Sequence, residues 1–207
     1  MRKIVTKNNM LLLPIFLILS IIFSVDQAFA LDMDEMDKMN MSAYELFMDG
    51  KYRGSIKIFD EMLEIDPKNY RILEMKGLAL SNLRLESTLA SQAQAHAVLG
   101  NPSNLNKLSI LEFYKALEIN PNSTLALNGM GIGFGNFGEY SEAKRYFEKS
   151  LKIDPNNITT KNYISSLEKL VKKYSLNVFE TPTKKPDFLQ KLEENTIPYW
   201  IKNTAGW

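Results

Sequence analysis

The feature that most constrains this chain is a proline that recurs at the end of similar amphipathic runs. Pro67 follows MLEID, Pro121 follows ALEIN, and Pro155 follows SLKID. Pro121 and Pro155 lie 34 residues apart, and Pro67 and Pro121 lie 54 apart, which is the same interval plus 20. A proline disfavours the helical conformation in the residue before it, so each of these sites ends a helix. A fixed period of this length indicates repeated units that bury their apolar faces against one another.

The unit from Thr124 to Asn157 shows the pattern most clearly, as a helix, a turn and a second helix. Gly138 suits a turn that needs a positive φ. Apolar residues recur at helical spacing on both sides of it, at Leu127, Met130, Ile132 and Phe134 and then at Ala143, Tyr146, Phe147 and Leu151. Two helices that are each apolar on one face need neighbours to cover those faces.

This unit resembles the tetratricopeptide repeat, whose period is 34 residues. The family's characteristic positions fall in the third copy on Leu127 (where the family usually has Trp), Met130, Gly131, Phe134, Ala143, Phe147 and Pro155. They fall in the first copy on Ala43, Leu46, Gly50, Tyr52, Ser55, Phe59 and Pro67, and in the second on Gly77, Leu80, Ser109, Phe113, Ala116 and Pro121. The resemblance implies an all-α solenoid of three helix pairs and a C-terminal capping helix, with no strands.

This resemblance, together with the patterns at the two ends of the sequence, divides the chain into three predicted parts. Residues 1–30 are an export signal, residues 31–173 form the repeat domain, and residues 174–207 are a linker and tail. The repeats are expected at about 36–69, 70–123 and 124–157, and the capping helix at 158–173. The second repeat contains a 20-residue insertion around residues 87–104. It is interpreted as an extension of the helix pair or an extra short helix, with a plain loop as the alternative.

The first 30 residues have the pattern of a secretory signal. Arg2, Lys3 and Lys7 precede an apolar run over residues 10–23, and a small-x-small cleavage site ends at Ala30. We expect cleavage after Ala30 and a secreted or cell-envelope location. The alternative is an uncleaved anchor helix, which would be the chain's only contact with a membrane.

The last eleven residues, IPYWIKNTAGW, resemble a short module near the C-termini of exported proteins of mesophilic archaea. The module implies export and carries no known chemistry. The alternative is a tail segment that packs Tyr199 and Trp200 onto the solenoid.

The tetratricopeptide resemblance also implies a function, which is non-catalytic binding of a peptide or partner protein in a concave groove. The groove would mix apolar and amide side chains. By the family's register its lining is Asn40, Tyr44, Phe47, Met48, Arg71, Glu74, Met75, Leu78, Asn82, Asn128, Ile132 and Asn136. Only fragments of the family's carboxylate clamp are present, so capture of a C-terminal carboxylate is not supported.

A second hypothesis rests on the methionine-rich start of the mature chain. Met33, Met36 and Met39 are spaced by three among acidic residues, and soft sulfur ligands suit Cu(I). An exported copper-handling protein is therefore the alternative function. The competing interpretation is that these methionines fill the apolar side of the first repeat helix.

Several other functions are disfavoured by composition. The chain has no cysteine and one histidine, His96, and its acids are expected mostly on solvent faces, so an enzyme is not predicted. The sequence GFGNFG at residues 133–138 lacks the strand that must precede a dinucleotide-binding loop. A formal charge of +1 gives no general attraction to nucleic acid. We expect no cofactor and no metal, and the oligomeric state stays open.

Overall fold

The structure is a computed structural model that describes residues 35–89 and 101–174. Within these ranges it contains seven α-helices and no strand, which confirms the all-α solenoid. The helices are α1 (35–48), α2 (Tyr52–Ile65), α3 (Tyr70–Leu89), α4 (Pro102–Ile119), α5 (Thr124–Asn136), α6 (Tyr140–Ile153) and α7 (Ile158–Tyr174).

The helices stack as three pairs followed by a cap. From α2 onward each helix packs on the next in sequence, α3 also contacts α5, and α5 contacts α7. The first helices of successive pairs therefore lie side by side. We call the surface that α1, α3 and α5 form the first-helix face. In the cap, Leu167 is buried while Ile164 and Val171 pack against the core, as the sequence predicted for a helix that covers the last repeat.

Two of the three pairs turn at a glycine with positive φ. Gly50 has φ 74° and Gly138 has φ 81°. At the second turn the Gly138 N–H donates to Gly135 O and the Glu139 N–H donates to Phe134 O, both at 3.0 Å, which is the Schellman arrangement. The turn that the sequence predicted at Gly138 is therefore confirmed.

The middle pair has no such turn, because Arg84 occupies the equivalent position. α3 continues past it and has 20 residues, against 13 in α5, while α4 has 18 against 14 in α6. The Asn101 side chain accepts hydrogen bonds from the Ser103 and Asn104 N–H groups and so caps α4. Part of the insertion thus extends both helices of the pair.

Close helix packing depends on glycines that lie under large side chains. A Cβ added at Gly77 would lie 2.8 Å from the Phe113 ring, and a Cβ at Gly129 would also collide with that ring. A Cβ at Gly131 would lie 2.5 Å from the Phe147 ring. Each ring is therefore seated on backbone that only glycine leaves open.

Several predictions fall outside the described residues. They concern the signal segment, Met33, His96 and the C-terminal segment after Tyr174, and together with the domain boundaries they stay predictions. Along the part of the chain that the structure does describe, none of the helices combines the length and the apolar character needed to cross a bilayer.

Candidate functional site

The first-helix face holds an open cavity of about 540 Å³. We call it the first-helix pocket. Five of the twelve predicted groove residues line it: Asn40, Tyr44, Arg71, Glu74 and Met75. The rest of its lining comes from Phe59, from Tyr70 and from the segment that leads into α5, which includes Ser123, Thr124 and Leu125. Residues from all three helix pairs therefore meet at one site.

Glu74 forms the buried side of this pocket and joins α3 to α5. Its carboxylate accepts a hydrogen bond from Ser123 Oγ, and the same Oγ accepts one from the Ala126 N–H at 3.0 Å. Ser123 is thus the N-cap of α5 and the partner of Glu74 at once. Burial raises the pKa of Glu74, against the opposing effects of the Ser123 hydrogen bond and of Arg71. This link holds the pocket wall in place.

The outer side of the pocket carries the groups that a partner can reach. Arg71 is exposed, and its Nε donates to the Tyr70 hydroxyl at 3.3 Å. Tyr44 is 53% exposed, and Met75 is half-buried beside it in the lining. The pocket therefore offers a guanidinium, a phenol and an apolar surface, which suit a peptide that has both carbonyl groups and apolar side chains.

Other predicted groove residues extend the same face. Phe47 packs edge to face on Tyr52, with ring centroids 5.5 Å apart, and Met48 is 65% exposed. Leu78 and Ile132 are partly buried against the core. Asn82 is half-buried, and its Nδ2 donates to Leu78 O at 3.1 Å.

The amide groups of Asn128 and Asn136 are used inside the protein. Asn128 is buried, and its side chain exchanges hydrogen bonds of 2.9 and 3.0 Å with Thr160 of the cap. Asn136 is exposed, but its Nδ2 donates to Asn106 Oδ1 at 3.0 Å. Asn106 in turn donates to Gly133 O in the last turn of α5 at 2.9 Å. A partner would have to break these bonds to reach the buried Asn128 amide group, whereas the Asn136 side chain remains accessible.

A largely buried charge network between the first two pairs was not predicted from the sequence. Lys76 Nζ lies 2.6 Å from an Asp60 carboxylate oxygen and 3.0 Å from Glu112 Oε1, and Lys115 Nζ lies 3.3 Å from the same Glu112 oxygen. The signal was available, because Lys76 occupies the register position that Met130 fills in the third repeat. A charge at an apolar position requires a partner.

Three acids are exceptions to the expectation that acids lie mostly on solvent faces. Glu74, Glu112 and Glu142 are buried. Glu74 is paired with Ser123, Glu112 with Lys76 and Glu142 with Arg145. These pairs connect helices or successive helical turns, so the burial of these three acids is explained by a structural role.

The methionines that suggested a copper site have a packing role where they are described. Met36 and Met39 are partly buried against the cluster that includes Ala43, Ile56 and Phe59. The described residues contain no group of three His, Cys, Asp or Glu side chains that could hold a metal ion.

The comparisons with known proteins agree with this geometry. A family model described as tetratricopeptide repeat matches residues 134–157, which cover the end of α5, the Gly138 turn and α6. The chain folds as a tetratricopeptide solenoid. Its relatives include human "Tetratricopeptide repeat protein 6", which is 27% identical over 131 residues, 55% of this chain and 24% of that protein. The chain thus spans about a quarter of that relative's length.

Solved structures show the same solenoid. The "Arabidopsis OM64 TPR domain" superimposes with a TM-score of 0.53 and 16% identity, over 66% of this chain and 97% of that one. The "Sgt2 TPR domain from Aspergillus fumigatus" gives a TM-score of 0.52 and 17% identity, over 74% of this chain and 89% of that one. At these identities the likeness shows the tetratricopeptide fold alone.

Proposed function

We propose that the protein is a non-catalytic scaffold that binds a peptide or a segment of a partner protein in the first-helix pocket, outside the cytoplasmic membrane. The observation that carries this proposal is the convergence of Tyr44, Arg71 and Met75 from two helix pairs on one open cavity. Tetratricopeptide solenoids generally bind protein partners rather than catalyse reactions. Repeat solenoids present extended surfaces of this kind to their ligands.

An apolar row on α1 supports the same proposal. Met41, Tyr44 and Met48 follow one another at spacings of three and four, and each is more than half exposed. A contiguous exposed apolar surface of this kind marks an interaction site more often than a free surface. Arg71 beside it supplies donors for the carbonyl groups of a bound segment. The partner is therefore expected to present apolar side chains to α1.

We expect Tyr44→Ala and Arg71→Gln each to weaken binding at least tenfold, since a central tyrosine or arginine often dominates an interface. Peptides would be selected from a displayed library on the wild-type protein and their affinities then measured with each variant. Lys161→Gln is the control, because Lys161 is exposed on α7 and does not line the pocket. Selected peptides that bind all three variants equally well would contradict the proposal.

The extracytoplasmic location rests on the basic, apolar and small-x-small pattern of residues 1–30. N-terminal sequencing of the protein from its native cells should begin at Leu31. A native protein that begins at Met1 would rule out cleavage after Ala30.

A further inference from the structure

A second cavity, of about 410 Å³, lies between the second helices of the last two pairs. We call it the second-helix pocket. Its apolar lining comes from α4, α6 and the start of α5, at Tyr114, Leu117, Leu127, Tyr146 and Ile153. None of these residues lines the first-helix pocket. The volume is at the small end of ligand pockets, which suits one large side chain with its neighbours.

The floor of the second-helix pocket is an aromatic surface fixed in place. The Tyr146 ring stacks on Phe134, with centroids 5.3 Å apart and planes 8° apart. Tyr146 itself is buried, and this burial raises the pKa of its phenol, so that the group stays neutral. Ile153 at the edge remains 41% exposed. An aromatic ligand group would meet the apolar lining beside Tyr146, whose ring also has the Arg145 guanidinium 5.0 Å from its centroid.

The rim of this pocket carries two ammonium groups without acidic partners. Neighbouring cations on α6 are paired, Lys144 with Glu148 at 3.9 Å and Arg145 with Glu142 at 2.8 Å. Lys149 and Lys152 both line the pocket, and neither is paired with a carboxylate among the described residues.

The two rim lysines are exposed and lie near a third cation, Arg145. Partial burial and the nearby charges of Arg145 and Lys152 lower the pKa of Lys149, and the charge of Glu142 opposes them. Its Nζ lies 5.3 Å from the centroid of the Tyr146 ring. The one acid of the lining, Glu118, is hydrogen-bonded to Tyr114. An incoming carboxylate would relieve the repulsion among these cations, and because both lysines are exposed, salt should screen this attraction.

We propose that the second-helix pocket is a second binding site, which takes an acidic peptide segment that carries an aromatic side chain. The aromatic ring lies against Tyr146, and the flanking carboxylates meet Lys149 and Lys152. A membrane surface is disfavoured as the occupant, since it needs a broad basic face and Glu118 and Glu148 interrupt this one. The two pockets share no residue, so the scaffold can hold two partners at the same time.

The test uses the full chain and three blocked five-residue peptides, each titrated while backbone amide NMR signals are followed. The first peptide has phenylalanine between pairs of acidic residues, the second replaces the acids by their amides, and the third replaces phenylalanine by alanine. We expect the first to bind and to shift signals at Leu117 and Tyr146. The second should bind about tenfold more weakly, with the difference shrinking at high salt, and the third should not bind measurably.

The charge contribution is tested by the double variant Lys149→Gln with Lys152→Gln. The affinity for the acidic peptide should fall about three- to tenfold, as expected for the loss of two partly exposed ion pairs. The affinity for the neutral peptide should not change. Lys169→Gln is the matched control, because Lys169 is an exposed lysine of α7 that does not line the pocket.

Three results would overturn the proposal. One is no binding of the acidic aromatic peptide at millimolar concentration. Another is equal affinity for the acidic and neutral peptides. The third is signal shifts at Tyr44 and Arg71 instead of at the second-helix pocket. The comparison among peptides uses the wild-type chain, so it tests the proposed binding site even if the double variant folds poorly.

Discussion

Replacement of Phe113 by alanine should lower the free energy of unfolding by about 3–5 kcal/mol, as for other fully buried aromatic side chains. The ring is fully buried, and it is seated on Gly77 of its own helix pair and on Gly129 of the next. The variant therefore leaves a cavity where two repeats meet. Whole domains have only about 5–15 kcal/mol of stability, so urea titration should show a large loss.

Phe147→Ala is the matched control, because it removes a phenylalanine ring from the equivalent position of the third repeat, nearer the C-terminal end of the solenoid. Phe147 packs on Gly131 and stacks on Tyr163 of the cap, with centroids 5.4 Å apart. Solenoid stability is a sum of repeat and interface terms. Hydrogen exchange should therefore show loss of protection in α5–α7 for Phe147→Ala, and in both α3 and α5 for Phe113→Ala. Identical exchange patterns for the two variants would contradict this picture.

Lys76→Met should cost about 3 kcal/mol, because it removes the main partner of a buried carboxylate. The Glu112 side chain is 4% exposed, and the Lys76 side chain is 15% exposed. The loss should be largely reversed by Glu112→Leu in the same chain, since an apolar pair can replace a buried ion pair. Urea titrations of the two single variants and the double variant measure the coupling. A double variant as unstable as Lys76→Met would show that lost packing is the cause.

Lys57→Met provides the control for this network. Lys57 and Glu61 form an exposed pair at 3.8 Å, so its removal should change stability by less than about 0.5 kcal/mol.

The same network should give stability a dependence on alkaline pH. Burial lowers the pKa of Lys76, but attraction to Glu112 and Asp60 outweighs it, and the pKa in the folded state is raised from 10.5. The folded state thus holds this proton more tightly than the unfolded state. The stabilisation is fully present below about pH 10.5 and is lost as the pH rises through the raised value. The wild-type protein should lose stability more steeply there than the Lys76→Met, Glu112→Leu double variant.

The solenoid could be predicted from sequence because its determinants are short-range and periodic. A small residue facing a ring and a proline after each second helix recur in all three repeats, and a glycine with positive φ recurs in the first and third. Gly138 and Phe147 lie where this pattern predicts. The first-helix pocket followed in part from the same register, since Tyr44 and Arg71 both line it.

The bonding of individual polar groups could not be predicted in this way. Asn136 is predicted as a groove residue, yet its amide group donates to Asn106, which stands where the first and third repeats have Tyr52 and Tyr140. Lys76 and Glu112 lie 36 residues apart, a separation that also includes the insertion. Such pairs depend on how neighbouring helices are rotated, which periodicity does not determine.

The long first helix of the middle pair has a consequence for any ligand that lies along the first-helix face. α3 has seven residues more than α5, which corresponds to about 10 Å of additional helix at 1.5 Å per residue. The end of α3 projects beyond one edge of the first-helix face at its middle helix, so the two edges of that face differ in shape there. It gives the solenoid a landmark by which the polarity of a bound segment can be set.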